Sequence, residues 1–119
     1  MRTRMLSSSI LTEPRKVRFE TTPRFDADYA RLPQEHRRAF RALIPAFSAA
    51  CDAYVASPGI SAWPARLRVR RMVSAPRIWE MTWSFAGPDG RATFEFVEDG
   101  DGKRLRWRRI GTHRVFDSP

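Results

Sequence analysis

The chain has one cysteine, two histidines and two lysines in 119 residues. Each scarcity excludes something. A lone Cys51 rules out an internal disulfide framework and a cysteine-based zinc site. His36 and His113 stand far apart, without an evident third ligand, so no metal centre is expected. No run approaches the roughly 20 apolar residues of a membrane-spanning helix, and the N-terminus has no apolar stretch of secretory type. A cytoplasmic protein with no membrane partner is expected. P-loop, GxGxxG and GxSxG words are absent. So are helix-turn-helix, RNA-recognition and zinc-finger signatures.

Arginine is what the chain has in excess. It supplies 20 of the 22 basic residues, against 13 acidic ones, for a formal net charge of +9. Guanidinium groups bind phosphate with a planar fork, so a surface rich in arginine suits nucleic acid. An acidic protein would fit the same surface. With 42% hydrophobic and 12% aromatic residues, the chain can build one real core, and its length fits one domain.

Residues 1–16 are polar and carry no sustained period. They read as a disordered tail, or as an over-extended start with Met5 as another initiator. Val17 to Thr21 alternates as a short strand. Thr21 or Thr22 then caps a short helix with Pro23 in its first turn and Phe25, Tyr29 and Leu32 on one face. Pro33 opens a longer helix to about Ala56, with Phe40, Leu43, Phe47, Ala50, Cys51 and Tyr54 on one stripe. Pro45 inside it should kink or split it. Cys51 reads as a small core residue.

A basic stretch from Leu67 to Met72 precedes three alternating segments. Trp79, Met81, Trp83 and Phe85 oppose Glu80, Thr82 and Ser84. Ala92, Phe94 and Phe96 oppose Arg91, Thr93 and Glu95. Leu105 and Trp107 oppose Arg104, Arg106 and Arg108. The parity then slips at Arg109 and Ile110, which a bulge would repair, with Gly111 suited to a local distortion. The expected architecture is α+β: an N-terminal strand, two helices, then three C-terminal antiparallel strands. Both helices cover one face of a small curved antiparallel sheet. The other face should lie in water and is the candidate surface for a polyanion. A plain solvated face fits the same pattern.

Four words carry a resemblance: DYARLP at the end of the first helix, IWEMTW, GRATFEF and the terminal RRIGTHRVFD. In this order and spacing, residues 17–119 resemble a single domain of the RelE/HigB-type toxins of bacterial type II toxin–antitoxin systems. The resemblance implies the small sheet just described. It also implies metal-free, cofactor-free cleavage of mRNA on the ribosome, and neutralisation by a cognate antitoxin. ParE-type toxins share the fold but poison gyrase, so the fold leaves the activity open.

By resemblance, Glu80, Arg91 and His113 take the catalytic positions. Arg68, Arg70 and Arg71 match the basic stretch that contacts RNA, and Arg106 and Arg108 extend it along the sheet. Phe116 stands where many relatives have tyrosine, a departure that leaves stacking on a base but no hydroxyl. Such cleavage needs a base for the 2′-hydroxyl, a cation for the phosphate and an acid for the leaving oxygen. Glu80 as base, Arg91 as phosphate holder and His113 as acid fill these roles. The base and acid assignments can also be exchanged, and Glu80 with Arg91 can equally be a cross-strand ion pair.

Overall fold

The computed structural model describes residues 17–57, 63–83, 90–100, 102–112 and 118–119. Residues 1–16 and 84–89, with Ser84 and Phe85 among them, and His113 and Phe116 lie outside the described residues.

Strand β1 (Arg18–Thr21) leads into helix α1 (Pro23–Arg31). Thr22 is the cap: its hydroxyl accepts from the Phe25 N–H at 3.1 Å and donates to the Arg108 carbonyl at 2.9 Å. Pro23 follows in the first turn, where its missing N–H costs nothing. Helix α2 (Gln34–Ala56) runs unbroken through Pro45, so the expected split does not occur. Residues on both sides of the proline, Phe40, Phe47 and Cys51, are buried on one stripe. That burial offsets the one backbone bond the proline removes. A 3-10 turn (Ala65–Leu67) precedes β2 (Arg70–Arg71), β3 (Trp79–Trp83), β4 (Gly90–Asp99) and β5 (Gly102–Gly111).

The sheet order is β1-β5-β4-β3-β2. The α+β class and the antiparallel β3–β4–β5 unit match the sequence expectation. The sheet itself is mixed and five-stranded, not antiparallel and four-stranded. β1 pairs parallel with β5, Phe19 opposite Leu105. Two helices separate β1 from the rest of the sheet, a connection long enough to return the chain for parallel pairing. Arg70 and Arg71, expected only as a basic approach to the sheet, form its other edge against Glu80 and Trp79. Both edge strands are short, which limits pairing with other chains.

The slipped parity in β5 is a bulge. Phe94 pairs with Trp107 and Thr93 with Arg109, so Arg108 is the extra residue. Gly111 lies beyond the bulge, opposite Arg91. The insertion turns Ile110 into the core at 2% exposure. The core is strongly aromatic. Trp107 meets Phe47 at 4.9 Å, Phe40 at 5.2 Å, Phe94 at 5.4 Å and Phe25 at 5.9 Å between ring centroids. It thereby ties both helices to the sheet.

The opposite face departs most from expectation. It does not lie in water: Glu80, Thr82, Thr93 and Glu95 are 3%, 6%, 0% and 8% exposed. Residues 75–78 stand beside Glu95, Arg70 lies over Glu80, and Pro119 accepts from Thr93. This face is a covered polar layer built from segments distant in sequence.

Candidate nucleic-acid interface

At one end of the polar layer, Arg68, Val69, Arg70, Thr82 and Arg91 line a cleft of about 330 Å³. Three separate segments meet there. Arg68 follows the 3-10 turn in the left-handed conformation, with φ 47° and ψ 53°, and its N–H donates to the Ala65 carbonyl at 3.1 Å. A non-glycine residue held this way costs about 1 kcal/mol and turns the chain sharply into β2. Arg70 sits on the edge strand, its side chain 73% exposed. Thr82 and Arg91 face each other across β3 and β4. Three arginines and a threonine thus border a space large enough for an anion.

Glu80 lies beside this cleft. Its carboxylate is ion-paired with Arg70 at 3.3 Å. The strand register puts Thr93, not Arg91, opposite Glu80, so Glu80 and Arg91 are diagonal neighbours. Diagonal pairs sit about 7–8 Å apart, within reach of long side chains. Arg71 departs from its neighbours: its guanidinium stands 4.8 Å from the centre of the Trp79 ring, on the other side of the strand. The sheet therefore divides the expected set. Arg68, Arg70 and Arg91 come together with Glu80 alongside, while Arg71 turns away.

Arg106 and Arg108 occupy the expected face at its other end, in a different state. Glu20 accepts from Arg106 at 2.6 Å and pairs with Arg104 at 2.9 Å. Glu95 accepts from Arg108 at 2.9 Å and lies 3.6 Å from Arg106. The Arg106 hydrogen bond, with the charges of Arg104 and Arg106, holds the Glu20 carboxyl below the usual carboxylate range. The same bond pushes Arg106 up.

Asp28 of α1 accepts from Arg109 at 2.6 Å and 3.1 Å, in the bidentate geometry that makes such pairs strong, and from the Ile110 N–H at 3.2 Å. That bond raises the Arg109 pKa. Arg108 and Thr93 also donate to the Pro119 carbonyl, at 2.9 Å and 3.1 Å, and Arg109 to that of Ser118 at 3.0 Å.

Sequence reasoning missed Thr82 as a cleft residue, although it shares parity with Glu80. It also missed Glu20 and Asp28 as partners, which no local pattern connects to arginines more than 80 residues away. Cys51 is a core residue as expected. Burial, with the neighbouring Asp52 charge, pushes its thiol pKa well up, which disfavours the reactive thiolate. Among the described residues, no group of His, Cys, Asp and Glu has the arrangement of a metal site. No helix there is long and apolar enough to cross a membrane. No protein-family model matches the chain, and no curated protein matches it.

Proposed function

We propose that this protein binds the phosphate backbone of RNA in the Arg68–Arg70–Arg91 cleft and cleaves it without a metal. In this reading it is the toxin of a toxin–antitoxin pair, acting on mRNA at the ribosome in the cytoplasm. The observation that carries the proposal is the meeting of three arginines and Thr82 around one concave site, with a buried carboxylate beside it. Cationic donors fixed by the fold, around a space open to solvent, are the setting in which a transferring phosphate is held and its developing charge stabilised.

The chemistry assigns roles to this chain's residues. Arg91, with Arg68, holds the scissile phosphate. Glu80 takes the proton of the 2′-hydroxyl once Arg70 turns from the carboxylate to the RNA backbone. His113 supplies the proton to the leaving oxygen, and Phe116 stacks on a base, as the RelE/HigB resemblance implies. An acidic antitoxin segment would oppose the same basic rim.

The 3.3 Å pair between Glu80 and Arg70 supports a second reading. In that reading Glu80 only positions Arg70, and the chain is a binding module on the toxin fold: a gyrase inhibitor of ParE type, or an RNA binder without cleavage. A coupled cell-free translation reaction, with new mRNA ends mapped by primer extension, separates the two. The nuclease reading requires in-frame cuts that depend on translating ribosomes and vanish with Arg91→Ala and Glu80→Gln. Intact mRNA with unimpaired translation would leave the binding module.

A further inference from the structure

A second concavity lies on the polar layer, away from the arginine cleft. It has a volume of about 310 Å³ and is lined by Ala75, Pro76, Arg77, Ile78, Glu95 and Arg108. Its outer wall is fixed: Ile78 donates to the Ala75 carbonyl at 2.8 Å, and Met72 to that of Ile78 at 2.8 Å. Its floor holds a carboxylate on a residue only 8% exposed.

Burying a carboxylate is costly unless its lone pairs are used. Arg108 and Arg106 both reach the same oxygen of Glu95, Oε2, at 2.9 Å and 3.6 Å. Oε1 takes part in neither contact. The pocket thus presents one carboxylate acceptor with a guanidinium next to it, between the apolar side chains of Pro76 and Ile78. Its volume sits at the small end of the ligand-pocket range, about 300–1,000 Å³.

We propose that this pocket is a nucleobase subsite selective for guanine. The Watson–Crick edge of guanine carries two adjacent N–H donors, N1 and N2, and one acceptor, O6. Glu95 Oε1, which neither arginine holds, accepts from both donors, and an Arg108 N–H not directed at Glu95 or Pro119 donates to O6. Pro76 and Ile78 provide apolar surface for the ring, and Arg77 a guanidinium plane of the kind on which bases stack. Uracil offers the carboxylate a single donor between two acceptors. Adenine offers its exocyclic amine alone.

The strand register connects this pocket to the cleft. Trp79 pairs with Phe94 and Thr82 with Arg91. One step beyond Trp79, Ile78 stands across from Glu95. The pocket and the cleft are therefore four residues apart along β3, or about 13 Å at about 3.3 Å per residue. Glu80 and Thr93 lie between them. An extended RNA with a phosphate in the cleft would pass over the Arg70 and Pro119 cover of this strip and place a nearby base in the pocket. This placement rests on the reading of RNA as substrate; recognition of the base does not depend on cleavage.

The test compares the affinities of GMP, IMP, AMP and ribose 5-phosphate for the full chain by calorimetry, with Glu95→Gln in parallel. Wild type should bind GMP about tenfold or more tightly than ribose 5-phosphate or AMP, the discrimination of one bidentate base contact. IMP, which lacks only the 2-amino donor, should lose about fivefold relative to GMP. Glu95→Gln should remove the preference. The IMP arm changes the ligand alone, so it stands even if the variant folds poorly. Equal binding of GMP and ribose 5-phosphate by wild type, or a preference that survives in folded Glu95→Gln, overturns the proposal. Guanine selectivity without mRNA cleavage in the translation assay keeps the pocket and rejects the nuclease. Cleavage without guanine selectivity does the reverse.

Discussion

One polar layer carries two populations of arginine. Near β5 and β1, Arg104, Arg106, Arg108 and Arg109 face Glu20, Glu95 and Asp28, at N–O distances down to 2.6 Å. Near β2 and β3, Arg68, Arg70 and Arg91 share a cleft with Thr82, and Glu80 stands beside them. The residue type and the sheet face are the same. What differs is which elements supply the acids. Where acids come from α1, β1 and β4, arginine locks elements together. Around Glu80, arginines from three separate segments instead converge on one concave site. A net charge of +9 is therefore a poor measure of the positive charge this molecule offers to its surroundings, because much of the charge at one end of the sheet is paired internally.

The largest consequence is expected at Asp28. Its side chain is 9% exposed and holds both Arg109 and the Ile110 N–H. Asp28→Ala should cost about 3 kcal/mol, the usual penalty for leaving a buried charge alone, read from the urea midpoint. Arg70→Ala, at the other end, takes the ion-pair partner from the buried Glu80 carboxylate and should cost about 1–2 kcal/mol, less than Asp28→Ala because Arg70 is itself largely exposed.

Binding should show the reverse. Arg91→Ala should weaken single-stranded RNA by about tenfold or more, the worth of a charged hydrogen bond to phosphate, measured by fluorescence anisotropy. Arg106→Ala should leave RNA affinity nearly unchanged.

Acid sharpens the contrast again. Because the folded-state pKa of Glu20 is lowered by Arg106 and Arg104, its contribution is present above the unfolded value of about 4.3. It is lost as pH falls through the depressed folded value. The wild type should therefore lose stability on acidification below about pH 4, and Glu20→Gln should flatten that limb of a thermal-unfolding series.

The smallest effect belongs to Arg71. Its contact with the Trp79 ring is worth about 0.5–1 kcal/mol at an exposed site. Arg71→Ala should lower stability by that amount while leaving RNA affinity less affected than Arg91→Ala does. A larger loss of affinity would move Arg71 into the interface.

Much of the fold was legible because it is periodic. The slip of parity at Arg109 and Ile110 announced the bulge that the structure places at Arg108. The stripe through Phe40, Phe47 and Cys51 announced the buried face of α2. The hydroxyl and carboxylate side of β3 and β4 was read correctly as one face and wrongly as wet. Alternation reports which residues share a side; it cannot report what later covers them.

The cover over Glu80, Thr93 and Glu95 comes from 75–78, from Arg70 and from Ser118–Pro119. Glu20 reaches Arg106 across 86 residues, and Asp28 reaches Arg109 across 81. The parallel pairing of β1 with β5 escaped for the same reason, since β1 alternates whichever strand it meets. Arg68, Arg70 and Arg91 could be named from the sequence. That Arg71 turns to Trp79 while Arg70 stays at the cleft follows from the two sides of a two-residue strand.

The central claim is that the cleft end of the sheet, and not its β1–β5 end, meets the RNA backbone. The salt dependence of single-stranded RNA affinity tests it most directly. Each phosphate contact on a single strand contributes about 0.7 to the slope of log affinity against log salt. Replacing Arg68, Arg70 and Arg91 together by alanine should make the slope shallower by about 2, whereas replacing Arg104 and Arg106 should leave it unchanged in protein that remains folded. An unchanged slope in the triple variant, with a shallower one in the double variant, would contradict the account and place the RNA on the arginines of the β1–β5 end.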